Sequence, residues 1–152
     1  MRFFLSMLLL GLSLQSLAQK NTYSGYPSLI WPRLYDISYD TRVEFIGDFG
    51  KPIFSPAAKS LEGKTITLPG YIMPFEGGMR ASHFMLSATP IYACFFCGAG
   101  GPESVVEVYL NKVITYTEKI VEIRGKLKLN DSNPEHMFYI LEDAEFLGVV
   151  DF

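Results

Sequence analysis

The chain has 152 residues, 49% of them hydrophobic, with 13 Lys+Arg against 16 Asp+Glu and a formal net charge of −3. That length suits about one domain. The mild acidity argues against nucleic acid as a partner, because phosphate binding wants a basic face. The 2 cysteines are too few for a disulfide framework, so the fold must stand on its core.

Met1-Arg2 is a short basic start, and Phe3 to Leu12 is almost wholly apolar. Ser16-Leu17-Ala18 then offers small residues for a cleavage site, so residues 1–18 read as a secretory signal peptide cut near Ala18. The run is too short for a membrane span, which needs about 20 apolar residues. The mature chain is therefore expected to have no membrane span and to be periplasmic or secreted. Cleavage removes Arg2 and no acid, which leaves 12 Lys+Arg against 16 Asp+Glu and moves the net charge to −4. Export also places both cysteines where disulfides persist.

Residues 19–52 are expected to form an N-terminal arm that packs on the body. Gln19 to Tyr26 is polar and turn-rich. Leu29 to Tyr35 is the first apolar cluster and holds the single Trp. Pro32 is incompatible with a central strand or a helix interior. The reading is an extended arm that lays Trp31 on the body, in preference to a ligand-stacking Trp. Arg42 to Ile46 alternates as a short strand that Gly47-Asp48-Phe49-Gly50-Lys51-Pro52 breaks.

Residues 53–152 are expected to be the main domain. Ser55-Pro56-Ala57-Ala58-Lys59 opens a short helix, with Ser55 as N-cap, Pro56 at the first helical position and Gly63 as terminator. From Lys64 the pattern is β. Ile66, Leu68 and Ile72 share one face of a strand that Gly70 bends. Glu76-Gly77-Gly78 turns the chain. Phe84, Leu86 and Ala88 face inward on the next strand, which puts His83 outside. Val106, Val108 and Leu110 mark a third strand. Val121, Ile123, Leu127 and Leu129 mark a fourth, alternating with Glu122, Arg124, Lys126 and Lys128. Asn130 to Pro134 is a turn, and His136 to Leu141 is a fifth strand that Asp143 to Val150 extends. This predicts a mostly β fold: a small five-stranded OB-like barrel with a short N-terminal helix and the extended arm. A β-sandwich is the alternative. The usual helix between the third and fourth barrel strands has little room.

The chemistry concentrates in Cys94-Phe95-Phe96-Cys97-Gly98-Ala99-Gly100-Gly101-Pro102, which holds both cysteines. Such spacing brings two sulfurs within reach of one metal ion or of each other. Backbone amides of the glycine run can stabilise thiolates. The metal reading takes Cys94 and Cys97 with His83, and Glu103 or His136 to complete the four ligands zinc wants. Met73, Met79 and Met85 are soft donors that would suit copper(I) better, although packing is the commoner role of such residues. A disulfide that staples the loop is the second reading. A thiol oxidoreductase is the third, and it sits poorly with Gly98 to Pro102, which will not open a helix as thioredoxin-like sites require. Covalent haem fails because Gly98 stands where a His is needed. Nucleophilic hydrolysis lacks an oriented base.

Leu61-Glu62-Gly63-Lys64-Thr65-Ile66-Thr67-Leu68-Pro69-Gly70-Tyr71-Ile72-Met73-Pro74, with Phe84-Met85-Leu86, Ala93-Cys94 and Trp31-Pro32-Arg33-Leu34, resembles a family of small exported bacterial proteins. That family is filed as domain of unknown function 3299. The likeness covers residues 31 to 129. This chain departs from the family where Phe96 replaces a His two residues after the first Cys, and where glycines replace a run of prolines. The resemblance implies an OB-like envelope protein linked to metal handling and without an established reaction. The expected function is thus an exported, non-enzymatic module whose loop binds a transition metal, zinc before copper. An envelope transporter or another envelope protein would be its partner. The alternative is an interaction module with a Cys94–Cys97 disulfide.

Overall fold

The computed structural model describes residues 25–75 and 79–150, apart from the side chain of Cys97. The expected signal peptide, the first residues of the leader and the Glu76-Gly77-Gly78 turn lie outside the described residues. Nine elements of helix and strand follow one another: α1 (Trp31–Leu34), β1 (Ile37–Ile46), β2 (Phe49–Phe54), α2 (Pro56–Lys59), β3 (Thr65–Pro74), β4 (Arg80–Ser87), β5 (Val105–Thr115), β6 (Val121–Leu129) and β7 (Tyr139–Val149).

The last five strands close a barrel in the order β3-β4-β5-β7-β6. Every pairing is antiparallel except that of β5 with β7. Alternation dictates what the barrel encloses. Ile66, Leu68, Ile72, Phe84, Leu86, Val106, Val108, Val121, Ile123 and Leu127 all join one buried cluster, because successive strand residues point to opposite faces. The barrel expected from the sequence is the one observed. Residues 116–120 alone link β5 to β6, and none is helical.

Gly70 marks the place where β3 changes partner. Residues Thr65 to Gly70 pair with β6, and Tyr71 to Pro74 pair with β4. A Cβ at this position would lie 2.7 Å from the Ser87 carbonyl oxygen and 2.8 Å from Leu86 Cγ. The strand can swing between neighbours there because no side chain intervenes.

The arm differs from expectation in its local structure. Trp31–Leu34 is a helical turn, with Pro32 in the first turn, where its missing N–H costs nothing. Trp31 is fully buried, and its indole Nε1 donates to the Pro69 carbonyl at 2.7 Å. The arm then forms a hairpin in place of a lone strand. β1 and β2 pair antiparallel around Gly47, which has a φ of +54°. Pro52 is tolerated on this two-stranded sheet because a sheet of two strands has only edges. β2 runs on to Phe54, past the expected end of the arm at 52. α2 forms as expected, with Ser55 Oγ accepting from the Ala58 N–H at 3.1 Å.

Candidate functional site

The outer face of β3, β4 and β5 carries the polar and sulfur side chains. Cross-strand partners in a sheet share a face. Met73 pairs with Met85, and Met85 pairs with Glu107, so these three stand in one row outside the barrel. One step along, His83 pairs with Tyr109, and the two rings stack at 4.2 Å. Phe75 lies against the His83 ring at 4.5 Å.

Glu107 is the centre of the polar half. Its side chain is only 4% exposed, whereas those of His83 and His136 are 43% and 37% exposed. Tyr109 Oη donates to its carboxylate at 2.6 Å, and His83 Nε2 lies 2.8 Å away. His136 Nδ1 lies 3.1 and 3.2 Å from the two carboxylate oxygens, and the Met137 N–H donates at 3.1 Å. Burial pushes the Glu107 carboxyl up, but the bonds from Tyr109, His83, His136 and Met137 outweigh it and hold the group below its ordinary value. Burial first, and then the bond to Glu107, push Tyr109 up to about 12. An ionised carboxylate only accepts, so each imidazole nitrogen facing it carries a proton.

The sulfur half lies beside it. Met73, Met85, Cys94, Val105 and Met137 form a buried cluster of their own, with Phe95 and Ile46 against it. Cys94 is fully buried. The loop above is closed at its base by the Ala88 N–H, which donates to the Ser104 carbonyl at 2.9 Å. Within it, Cys94 precedes a 3-10 turn over Phe95–Cys97, and Gly98, at a φ of +76°, ends the turn. Cys94 itself is extended and forms the N-cap of that turn. The β1–β2 hairpin clamps this loop through Phe49, which packs on Phe95 at 5.7 Å.

The structure places the expected ligands in three settings. Cys94 sits in the sulfur cluster. His83 and His136 meet on Glu107. Glu103 is buried and accepts a hydrogen bond from Tyr39 Oη. Burial, followed by this bond, pushes the Tyr39 hydroxyl far up. Gly101 makes room for the Glu103 carboxylate, which a Cβ there would strike. Among the described residues no three His, Cys, Asp or Glu side chains are arranged to hold one metal ion. Sequence reasoning missed Glu107, Tyr109 and Met137. The outward parity of Glu107, between Val106 and Val108, was a usable signal; its partners were not, because they depend on register. Met79, grouped with Met73 and Met85 by sequence, is exposed, and Met137 takes that place.

No family model and no curated protein matches the chain. A search of solved structures finds similarity to a crystal structure of a DUF3299 family protein from Pseudomonas aeruginosa. The two are 23% identical, the match covers 64% of this chain and 68% of that one, and the TM-score is 0.49. DUF3299 is the family whose motifs were noted in the sequence. Among the described residues no helix is long and apolar enough to cross a membrane.

Proposed function

We propose that the protein is an exported, non-enzymatic OB-like module whose Cys94/Cys97 loop binds a transition metal, for metal handling or for an envelope transporter. The observation that carries this reading is the setting of Cys94. It is fully buried on the outside of the barrel, at the start of a single turn that ends at Cys97. It is also surrounded by further metal-binding side-chain types rather than by aliphatic residues alone. The hairpin and the loop-base hydrogen bond hold this arrangement in place. Zinc and copper(I) are the ions that a pair of thiolates accepts most readily.

Intact mass spectrometry of the protein recovered from its own envelope tests the reading. A native mass carrying about one metal ion per chain, with both thiols free on denaturation, is the expected result. A Cys94→Ser/Cys97→Ser variant should lose that ion. Equal and near-zero metal in both proteins would refute the proposal. A mass two hydrogens short, without metal, would establish the stapled interaction module instead.

A further inference from the structure

Among the described residues the buried methionines and Cys94 are grouped together. The main buried cluster holds 22 of those residues, and none is Met or Cys. The smaller cluster holds five buried residues, and four of them carry sulfur: Met73, Met85, Cys94 and Met137. The chain has 6 methionines, and two of them, Met1 and Met7, fall in the expected signal peptide. Three of the other four therefore lie against one cysteine. Ordinary packing would draw on Leu, Ile and Val, as the main cluster does. These thioethers come from three separate places in the chain, β3, β4 and the segment before β7, so no local repeat produced the grouping.

We infer that the ion bound at the Cys94 loop is copper(I), held by the Cys94 thiolate and the thioethers of Met73, Met85 and Met137. This rests on the metal-binding reading above and names its ion. Thioethers are soft, neutral donors. They bind copper(I) and contribute little to zinc, which prefers thiolate, imidazole and carboxylate. Glu107, the cross-strand partner of Met85, is a hard donor on the same face, and its carboxylate already accepts from Tyr109, His83, His136 and the Met137 N–H. Its lone pairs are thereby already engaged. The site is not sealed: Met73, Met85 and Met137 are 7%, 5% and 5% exposed. A groove of about 450 Å³, bordered by Tyr71, Ile91, Tyr116 and Glu118, opens beside Met73. Binding replaces the Cys94 thiol proton with the cation, so one proton passes to solvent for each ion bound at that sulfur, and the oxidation state of copper does not change.

The test uses the reduced, metal-free full chain under anaerobic conditions. Copper(I) and zinc(II) are titrated separately against chromophoric chelators of known affinity. The wild type should bind one copper(I), and Met73→Leu/Met85→Leu/Met137→Leu should weaken copper(I) binding by about 100-fold while moving zinc(II) by less than about 3-fold. Leucine conserves volume well enough for the variant to fold, and each single Met→Leu variant should show part of the loss. X-ray absorption of the copper(I)-loaded wild type should show sulfur neighbours only. Unchanged copper(I) affinity in the leucine variants, or nitrogen and oxygen neighbours on the ion, would overturn the inference while leaving metal binding by the loop intact. Failure of both ions to bind the wild type would overturn both.

Discussion

Glu107→Gln should destabilise the protein by about 2–3 kcal/mol near neutral pH, on the scale of charge-assisted hydrogen bonds at about 1.5–3 kcal/mol each against about 1 for neutral ones. The substitution keeps the shape and removes the charge. Four groups now donate to the carboxylate, namely Tyr109, His83, His136 and the Met137 N–H. A glutamine offers one oxygen and turns an NH₂ toward the remaining donors. The loss stays below the sum of four bonds because His83 and His136, at 43% and 37% exposure, can turn to water. At this chain length it corresponds to a fall in Tm of about 4–12 °C. The sign of the pH dependence follows from the lowered pKa of Glu107, whose ordinary value is 4.5. The folded state binds its proton more weakly than the unfolded chain does. The stability contribution is thus complete above the ordinary value and is lost as pH falls through the lower folded value. The gap between wild type and variant should narrow over that range. Urea denaturation followed by the fluorescence of the single Trp measures it, since Trp31 is fully buried when folded. A gap under about 0.5 kcal/mol near neutral pH, typical of an ordinary surface substitution, would refute the reasoning. So would a gap that stays constant as the solution is acidified past 4.5.

Trp31→Phe removes the 2.7 Å bond to the Pro69 carbonyl and leaves a gap behind the ring. It should cost about 2–3 kcal/mol, read by the circular dichroism of a urea series; a variant as stable as wild type would show that the arm does not hold the barrel. Gly70→Ala sets a methyl 2.7 Å from the Ser87 carbonyl oxygen, where β3 changes partner. It should lower stability by about 1–3 kcal/mol, with amide exchange quickening first along the β3–β4 pairing. Protection unchanged at Tyr71 to Pro74 would refute the close approach.

The sequence by itself determined the barrel. Its signal is local, since period-2 alternation in each strand assigns the inward side chains without reference to any partner. That is why Ile66, Phe84, Val106 and Ile123 were legible as core, and His83 as outward-facing. Local signals also placed α2, because a cap and a first-turn proline act within a few residues. The hairpin of the arm was less legible. Pro52 and the glycines argue against a central strand, and only the two-stranded sheet of β1 and β2 makes them acceptable. The candidate site was divided in the same way. The sequence pointed to Cys94, His83 and His136 as residue types. Only the tertiary structure decided that Met85 stands between Met73 and Glu107, that Glu107 gathers both histidines, and that Met137 rather than Met79 joins the sulfur group. The physical reason is register. A shift of one residue between two strands exchanges every cross-strand neighbour and turns one strand's side chains to the other face, and the sum of packing around a closed barrel fixes that register where no single strand can.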